Sequence, residues 1–492
     1  MAKREQWASR TAFFLAATGS AIGLGNIWRF PYICFKYGGG AFLIPYLVAL
    51  FSAGIPLMIL EFSLGHKYQL SAPLALAKVH KNLEWLGWFA LLVAFGIVAY
   101  YTVIMGWCFN YMFHSIKLSW GENTGGFFYE KFLALSKNVF TIGSIRPLIF
   151  AGLIATWIWI VLSVWKGAKT VGKVVYVTVT LPWLCLLIFV IRGLTLPGAI
   201  DGLSYYLTPN FAALKDPKVW LAAYAQVFFS LSIGFGVMIA YASFLPKKSD
   251  IVNNAFLVSL ADAGTAFAGG LAVFSTLGYY AHTTGLSVPD VVKSGPSLAF
   301  ITYPTIISLL PFACSFFGIL FFLMLLTLGV DSAFSLVEAG TAGIIDKWKK
   351  KRIPINFAFG IAAVIAGLIF TTKAGLYWLD IVDYFMSNFA LVIVALLECI
   401  FLGYLYREKG VVALREHANS VSEIKVGKWW EICIKVVTPI ALIILLVLTV
   451  IERIKGAYEN YPRLAEFLGG WLILIAFFVV AIILNRVRSK GG

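Results

Sequence analysis

The chain has 492 residues, 60% of them hydrophobic and only 13% charged, with a mean hydropathy of +0.87. A soluble protein of this length could not hide so much apolar surface, and repeated uncharged runs of about 20 residues are long enough to cross a bilayer. The net charge of +16 does not mark a nucleic-acid groove, because the basic residues gather in every second loop and so record membrane topology and attraction to anionic lipid.

Taken in chain order, about twelve stretches meet the length criterion for a spanning helix. They centre near 10–36, 41–65, 87–115, 147–165, 172–194, 219–244, 252–281, 311–345, 355–371, 377–405, 430–452 and 464–486, and are numbered here as spans 1 to 12. The expected class is an all-α polytopic membrane protein in one domain, 1–492. A β-barrel would show short alternating segments instead.

Lys3, Arg4 and Arg10 precede span 1, and His66 to Lys81 follow span 2. Lys166, Lys169 and Lys173, then Lys247 and Lys248, then 347–352, Arg407 to Lys428, and Arg486 to Lys490 continue the alternation. By the positive-inside rule both termini are expected in the cytoplasm, with the chain in the cytoplasmic (inner) membrane. Lys117, Lys131 and Lys137 are the exceptions, in a long outer loop that also holds Glu122 and Glu130. The basic lead runs into a span too long for a signal-peptide core, so no processing is expected. Six cysteines without paired spacing are expected as buried free thiols.

Two spans are not plain. Span 1 carries Gly19, Gly23 and Gly25 with Asn26 inside "ATGSAIGLGNIWRFP", and span 6 carries Ser230, Ser232, Gly234 and Gly236. The second fault falls five spans after the first, so spans 1–5 (10–195) and 6–10 (219–406) are expected as inverted repeats, with accessory spans 11 and 12 (430–486) outside them. Freed backbone groups in hydrocarbon cost several kcal/mol each, roughly, unless something satisfies them. Two facing breaks have such a use: half-helix N-termini offer amides to an anion and freed carbonyls coordinate a cation. Close helix packing alone explains the spacing of Gly19 and Gly23, but not Asn26 or the two serines.

Acidic residues at membrane depth are functional candidates by default. Glu61, Asp262, Asp331 and Asp383 are the principal ones. Asp262 and Asp331 with Ser332 offer hard oxygen ligands and no His or Cys cluster, which suits a hard cation. Glu338 and Glu398 lie nearer span ends, where snorkelling or partner contacts are expected to account for them.

These motifs closely resemble the neurotransmitter:sodium symporter family. The resemblance rests on "GSAIGLGNIWRFPYICFKYGGGAFLIPY" (19–46), "GIPLMILEFSLG" (54–65), "FFSLSIGFGVMIAYAS" (228–243), "VFSTLGYYA" (273–281) and "LTLGVDSA" (326–333). It implies a first sodium site at the Ala21 carbonyl, Asn26, Ser230, Asp262 and the substrate's own carboxylate. A second is implied at the carbonyls of Gly19, Ile22 and Leu328 with Asp331 and Ser332. Leu24, Gly25 and Tyr101 would hold the substrate carboxylate, with Ala21, Gly23 and Ser230 bordering it. Ile97, Tyr101, Phe229, Ser232, Phe235, Ser332 and Leu336 would enclose its side chain. Arg29 and Asp383 match the outer gate; Arg4, Trp7 and Asp346 match the inner one.

The family's monoamine carriers have an Asp where this chain has Gly23, so the resemblance implies an amino acid that brings its own carboxylate. An apolar pocket implies a neutral, hydrophobic side chain. Ala266 stands at the family's chloride position beside Tyr46, Gln226 and Ser230, and Asp262 stands where Asn is usual. Chloride-independent transport of the amino acid with two sodium ions follows as the expectation, with a proton on Asp262 left open. Phe244 replaces a tyrosine that often braces the inner gate. Gly172 and Pro182 fit either a span 5 that unwinds on release or a plain proline kink. Proton coupling, or another small amine or amino-acid derivative as substrate, is the alternative. Neither an enzyme nor a channel explains the paired faults. No organic cofactor or nucleic-acid partner is expected; membrane lipids are, with a monomer and a homodimer both open.

Overall fold

The computed structural model describes residues 5–487. Among the described residues ten helices are long and apolar enough to cross a membrane. In order they are span 2 (Gly39–Tyr68), span 3 (Lys81–Lys117), span 4 (Pro147–Val164), span 5 (Ala168–Leu194) and span 7 (Ile251–Thr284). Span 8 (Cys314–Trp348), span 9 (Arg352–Thr371), span 10 (Gly375–Leu405), span 11 (Lys428–Asn460) and span 12 (Arg463–Arg486) complete them. Span 1 is an eleventh, built from Arg10–Ala21 and Leu24–Lys36 at 52° to one another.

Span 6 passes no length test because it is interrupted in the middle. Helix Pro217–Ser230 and helix Val237–Ala242 flank an irregular segment. There Ser232, Gly234 and Gly236 take φ values of 52°, 81° and 70°. A left-handed residue ends an α-helix, and glycine enters that region without a Cβ penalty. In span 1 the break is extended rather than left-handed, with Ile22 at ψ 116° and Gly23 at φ −140°, ψ −168°. Ser9 starts that span, its hydroxyl accepting the Ala12 N–H at 3.0 Å.

Burial orders the bundle from inside to out. Spans 3 and 8 have 78% and 67% of their most apolar window buried, whereas spans 11 and 12 have 28% and 22%. Spans 11 and 12 therefore sit at the periphery and turn Ile440, Val447, Ile475 and Ile483 outward, about half exposed each. The six cysteines are free thiols, five of them buried.

The intramembrane acids divide by partner. Glu61 in span 2 accepts the Gly234 N–H at 2.6 Å, satisfying one donor that the break in span 6 sets free. Glu338 is fully buried and takes Arg352 in both oxygens, at 2.7 and 2.8 Å. Glu398 departs from expectation. It is 1% exposed and neither oxygen has a hydrogen-bond partner, so it faces the interior instead of snorkelling. Glu61 is the acid it faces.

Candidate functional site

The two breaks meet. An α-helix leaves its last carbonyls without intrahelical partners, and helix Arg10–Ala21 ends at the centre of the bundle. The Ser20 carbonyl accepts the Ser232 hydroxyl at 2.8 Å and the Ser332 hydroxyl at 3.2 Å. The Ser20 hydroxyl itself donates to Ser335 at 2.7 Å. One carbonyl of span 1 thus joins spans 6 and 8. Sequence reading passed over Ser20 because a backbone acceptor carries no residue-type signature.

Three of the residues expected at the first sodium site converge. Asn26 donates to Asp262 Oδ1 at 2.8 Å and Ser230 donates to the same oxygen at 2.9 Å. Asn26 Oδ1 accepts the Gly23 N–H at 2.9 Å, which fixes the amide across the break. Asp262 Oδ2 is buried without a partner, as are the Tyr46 hydroxyl and both polar atoms of the Gln226 amide. Such groups are costly unless a ligand or ion completes them.

At the second site, Gly19 and Asp331 are in contact. A Cβ added to Gly19 would lie 2.9 Å from Asp331 Cβ, 3.0 Å from its Oδ2 and 2.6 Å from Val179 Cγ2. Only glycine lets span 1 approach span 8 this closely. Asp331 Oδ1 accepts the Thr178 hydroxyl at 2.6 Å. Thr178 was not legible as a site residue. Span 5 is interrupted at Val179, just after it, and Pro182 removes the N–H that would have bonded the Thr178 carbonyl. Gly172, earlier in span 5, packs on Ala12 and the Trp7 ring, each 3.4 Å from where a Cβ would stand.

The substrate residues surround the same point. The Tyr101 and Ser332 hydroxyls flank Gly23, 3.4 and 3.3 Å from where a Cβ would stand. Ile97, Phe235 and Leu336 are buried apolar side chains. A Cβ on Gly25 would stand 3.0 Å from the Phe229 ring, so Phe229 closes directly over the start of Leu24–Lys36. The two sides differ in closure. Arg29 stacks on Phe229 at 4.4 Å and lies within electrostatic reach of Asp383. The Asp383 carboxylate instead accepts Tyr100 at 2.5 Å and Ser387 at 3.3 Å. Among the described residues Arg29 and Asp383 form no direct ion pair. On the other side Trp7 is 3% exposed. It donates its indole N–H to the Tyr241 carbonyl at 2.9 Å and its backbone N–H to that of Phe244 at 3.0 Å. The Phe244 ring meets Trp7 edge-on at 6.3 Å, so packing occupies the tyrosine's place. Asp346 accepts the Ser71 N–H at 2.8 Å; Arg4 lies outside the described residues.

Comparison with known proteins decides the family. The model of the sodium:neurotransmitter symporter family matches residues 4–126 and 121–489. The chain belongs to that family. It is 46% identical to an uncharacterized sodium-dependent transporter of Methanocaldococcus jannaschii, over 100% of this chain and 99% of the relative. It is 32% identical to the human sodium- and chloride-dependent taurine transporter, over 99% of this chain and 86% of the relative. The human sodium- and chloride-dependent GABA transporter 2 is also 32% identical, over 97% and 85%. This symporter is therefore a sodium-dependent, multi-pass membrane transporter and not an enzyme. Its all-helical fold with a broken first span is the family's.

Proposed function

We propose that this symporter imports a neutral, hydrophobic amino acid with two sodium ions and without chloride, by alternating access around the junction of spans 1, 6 and 8. The observation that carries the substrate reading is the space at Gly23. A Cβ there would stand 3.3 Å from the Ser332 hydroxyl and 3.4 Å from that of Tyr101. No protein carboxylate fits at that point without displacing both. A carboxylate at that point therefore has to arrive with the substrate, as it does on an amino acid. The sodium ligands are then Ala21, Asn26, Ser230 and Asp262 for the first ion, and Gly19, Ile22, Leu328, Asp331 and Ser332 for the second. Both sets offer hard oxygen donors, which suit sodium.

Chloride independence rests on Asp262 and Ala266. The Asp262 carboxylate reaches Tyr46 electrostatically, among the unpartnered Tyr46 and Gln226 groups. It supplies a fixed negative charge where the taurine and GABA relatives, by name, depend on chloride. Sodium supplies the driving force: each ion crossing a ~100 mV potential provides roughly 2.3 kcal/mol. The halves 10–195 and 219–406 are inverted repeats, and spans 1, 2, 6 and 7 rock against the rest about the shared site, with both termini cytoplasmic.

Binding of labelled leucine, tryptophan, alanine and glycine to purified protein, in sodium and then in potassium, tests the reading. Sodium-dependent binding of at least one is expected; failure of all four removes the amino-acid assignment. Taurine and GABA in the same assay test the alternative of an amino-acid derivative, which the relatives' names favour. Uptake that collapses when gluconate replaces chloride would overturn chloride independence.

A further inference from the structure

An open groove of about 450 Å³ lies far from the broken helices, where the end of span 10 meets the start of span 11. Four cationic side chains line it, Arg407, Arg415, Lys428 and Lys435, against two acids, Glu408 and Glu431. Glu431 is shared by Arg415 and Lys435, the latter at 3.0 Å, so its charge is already matched from both sides. Arg407 pairs with the exposed Glu408 at 3.6 Å and also acts on Glu431 electrostatically, without a direct ion pair to it. The Lys428 ammonium has no hydrogen bond or ion pair among the described residues. Four cations against two acids leave two surplus positive charges, and the unpaired Lys428 ammonium with Arg407, held by one exposed acid, can take phosphate oxygens.

The groove continues into an apolar track. From its floor, Ile432, Val436 and Ile440 follow one another a turn apart along span 11, 54%, 44% and 52% exposed. Trp429 beside Lys428 is 41% exposed, as an aromatic ring at the membrane–water interface is. Tyr404 and Leu405 of span 10 form the facing wall, also exposed. The Tyr404 hydroxyl donates to the Lys435 carbonyl and ties the two walls together. Cations at the mouth and an apolar stripe leading away match a ligand with a phosphate at one end and hydrocarbon at the other. A soluble phosphate would use only the first half.

We infer that this groove binds the phosphate headgroup of an anionic phospholipid, with the acyl chains lying along Ile432, Val436 and Ile440. The assignment to the cytoplasmic leaflet rests on the topology proposed above; the ligand chemistry does not.

The test measures lipid retained by the purified full-length protein in mixed micelles of phosphatidylglycerol and phosphatidylcholine, counted by native mass spectrometry. Wild type is expected to retain phosphatidylglycerol preferentially. Arg407→Ala with Lys428→Ala should lower that retention about tenfold, since both charges act at the membrane surface. Neither side chain is bonded to the fold's interior, and an unchanged thermal midpoint checks that the variant folds. Lys247→Ala with Lys248→Ala removes the same charge elsewhere and should leave retention unchanged. No preference in the wild type, or equal loss in that control, would overturn the site. Displacement of the lipid by excess inorganic phosphate would show a soluble-anion site and overturn the lipid assignment. Labelling of a cysteine placed at Ser420 reads the topology separately, because micelle retention does not depend on orientation.

Discussion

The Ser232 hydroxyl of span 6 reaches the Ser20 carbonyl of span 1 at 2.8 Å, across 212 residues of sequence. Ser332 of span 8 reaches the same carbonyl at 3.2 Å. A carbonyl released by a broken helix is satisfied twice, once from span 6 and once from span 8. A continuous helix would leave no such carbonyl to share.

Ser232 holds this contact at a φ of 52°. Removing the hydroxyl alone, in Ser232→Ala, costs about 0.5–1.5 kcal/mol of one hydrogen bond. Half-saturation by substrate should rise by roughly up to tenfold with the maximal rate little changed. Ser232→Val adds a β-branched side chain in the left-handed region, where it is a strong outlier, and uptake should be lost. Sodium-dependent uptake in proteoliposomes compares the two; equal loss in both would show that the hydroxyl, and not the backbone, decides.

Thr178 donates to Asp331 at 2.6 Å from the interrupted middle of span 5. Thr178→Val keeps the shape and removes the donor, and a hydrogen bond to a charged group is worth about 1.5–3 kcal/mol. The half-saturating sodium concentration should rise about tenfold or more, while substrate binding at saturating sodium stays near wild type. An unchanged sodium response would mean that Thr178 only fills space.

Much of this was legible because membrane proteins cannot hide a broken helix. A run such as "ATGSAIGLGNIWRFP" violates the composition of a span, and the backbone groups it frees need partners. That reasoning singled out Asn26, Ser230 and Ser232, while the cost of acids at membrane depth singled out Asp262 and Asp331 with Ser332. It could not reach Ser20, whose role is that of a carbonyl, or Thr178, which resembles any threonine bonded to its own helix. Glu398 was misjudged because distance from a span end does not tell which way a side chain faces. The span boundaries were close: 252–281 was expected for span 7, and Ile251–Thr284 is observed. Span 6 alone escapes a length criterion, since the feature that makes it functional divides it.

His417 offers a pH test away from the transport site. Its Nε2 lies 2.9 Å from His66 Nδ1, and His66 Nε2 lies 2.8 Å from the Pro246 carbonyl, two residues beyond Phe244 of the inner closure. With the His66 Nε2–H donating to that carbonyl, His66 Nδ1 accepts the His417 proton. Burial, then His66 and Lys67, push His417 down to about 4 from an ordinary 6.5. A histidine depressed on folding binds fewer protons in the folded state, so its stabilisation is full above about 6.5 and declines as pH falls toward 4. The thermal midpoint of wild type should drop between pH 7 and pH 5 by more than that of His417→Gln, which keeps a donor but cannot titrate. Parallel curves would remove His417 as the cause.

Asp262 carries the last and sharpest expectation. Its Oδ1 is held by Asn26 and Ser230, its Oδ2 is buried without a partner, and its carboxylate reaches Tyr46 electrostatically. Asp262→Asn keeps the shape and removes the negative charge, leaving donors with no anion to face. Transport should fall in chloride-free medium. Adding Ala266→Ser supplies a hydroxyl beside them, and the double variant should then recover with chloride and not with gluconate. Asn26 and Ser230 donate to the charged group, and each such hydrogen bond is worth about 1.5–3 kcal/mol. The single variant should therefore lose most of its uptake rather than a fraction. If the double variant transports equally in both anions, the negative charge at Asp262 is not what replaces chloride.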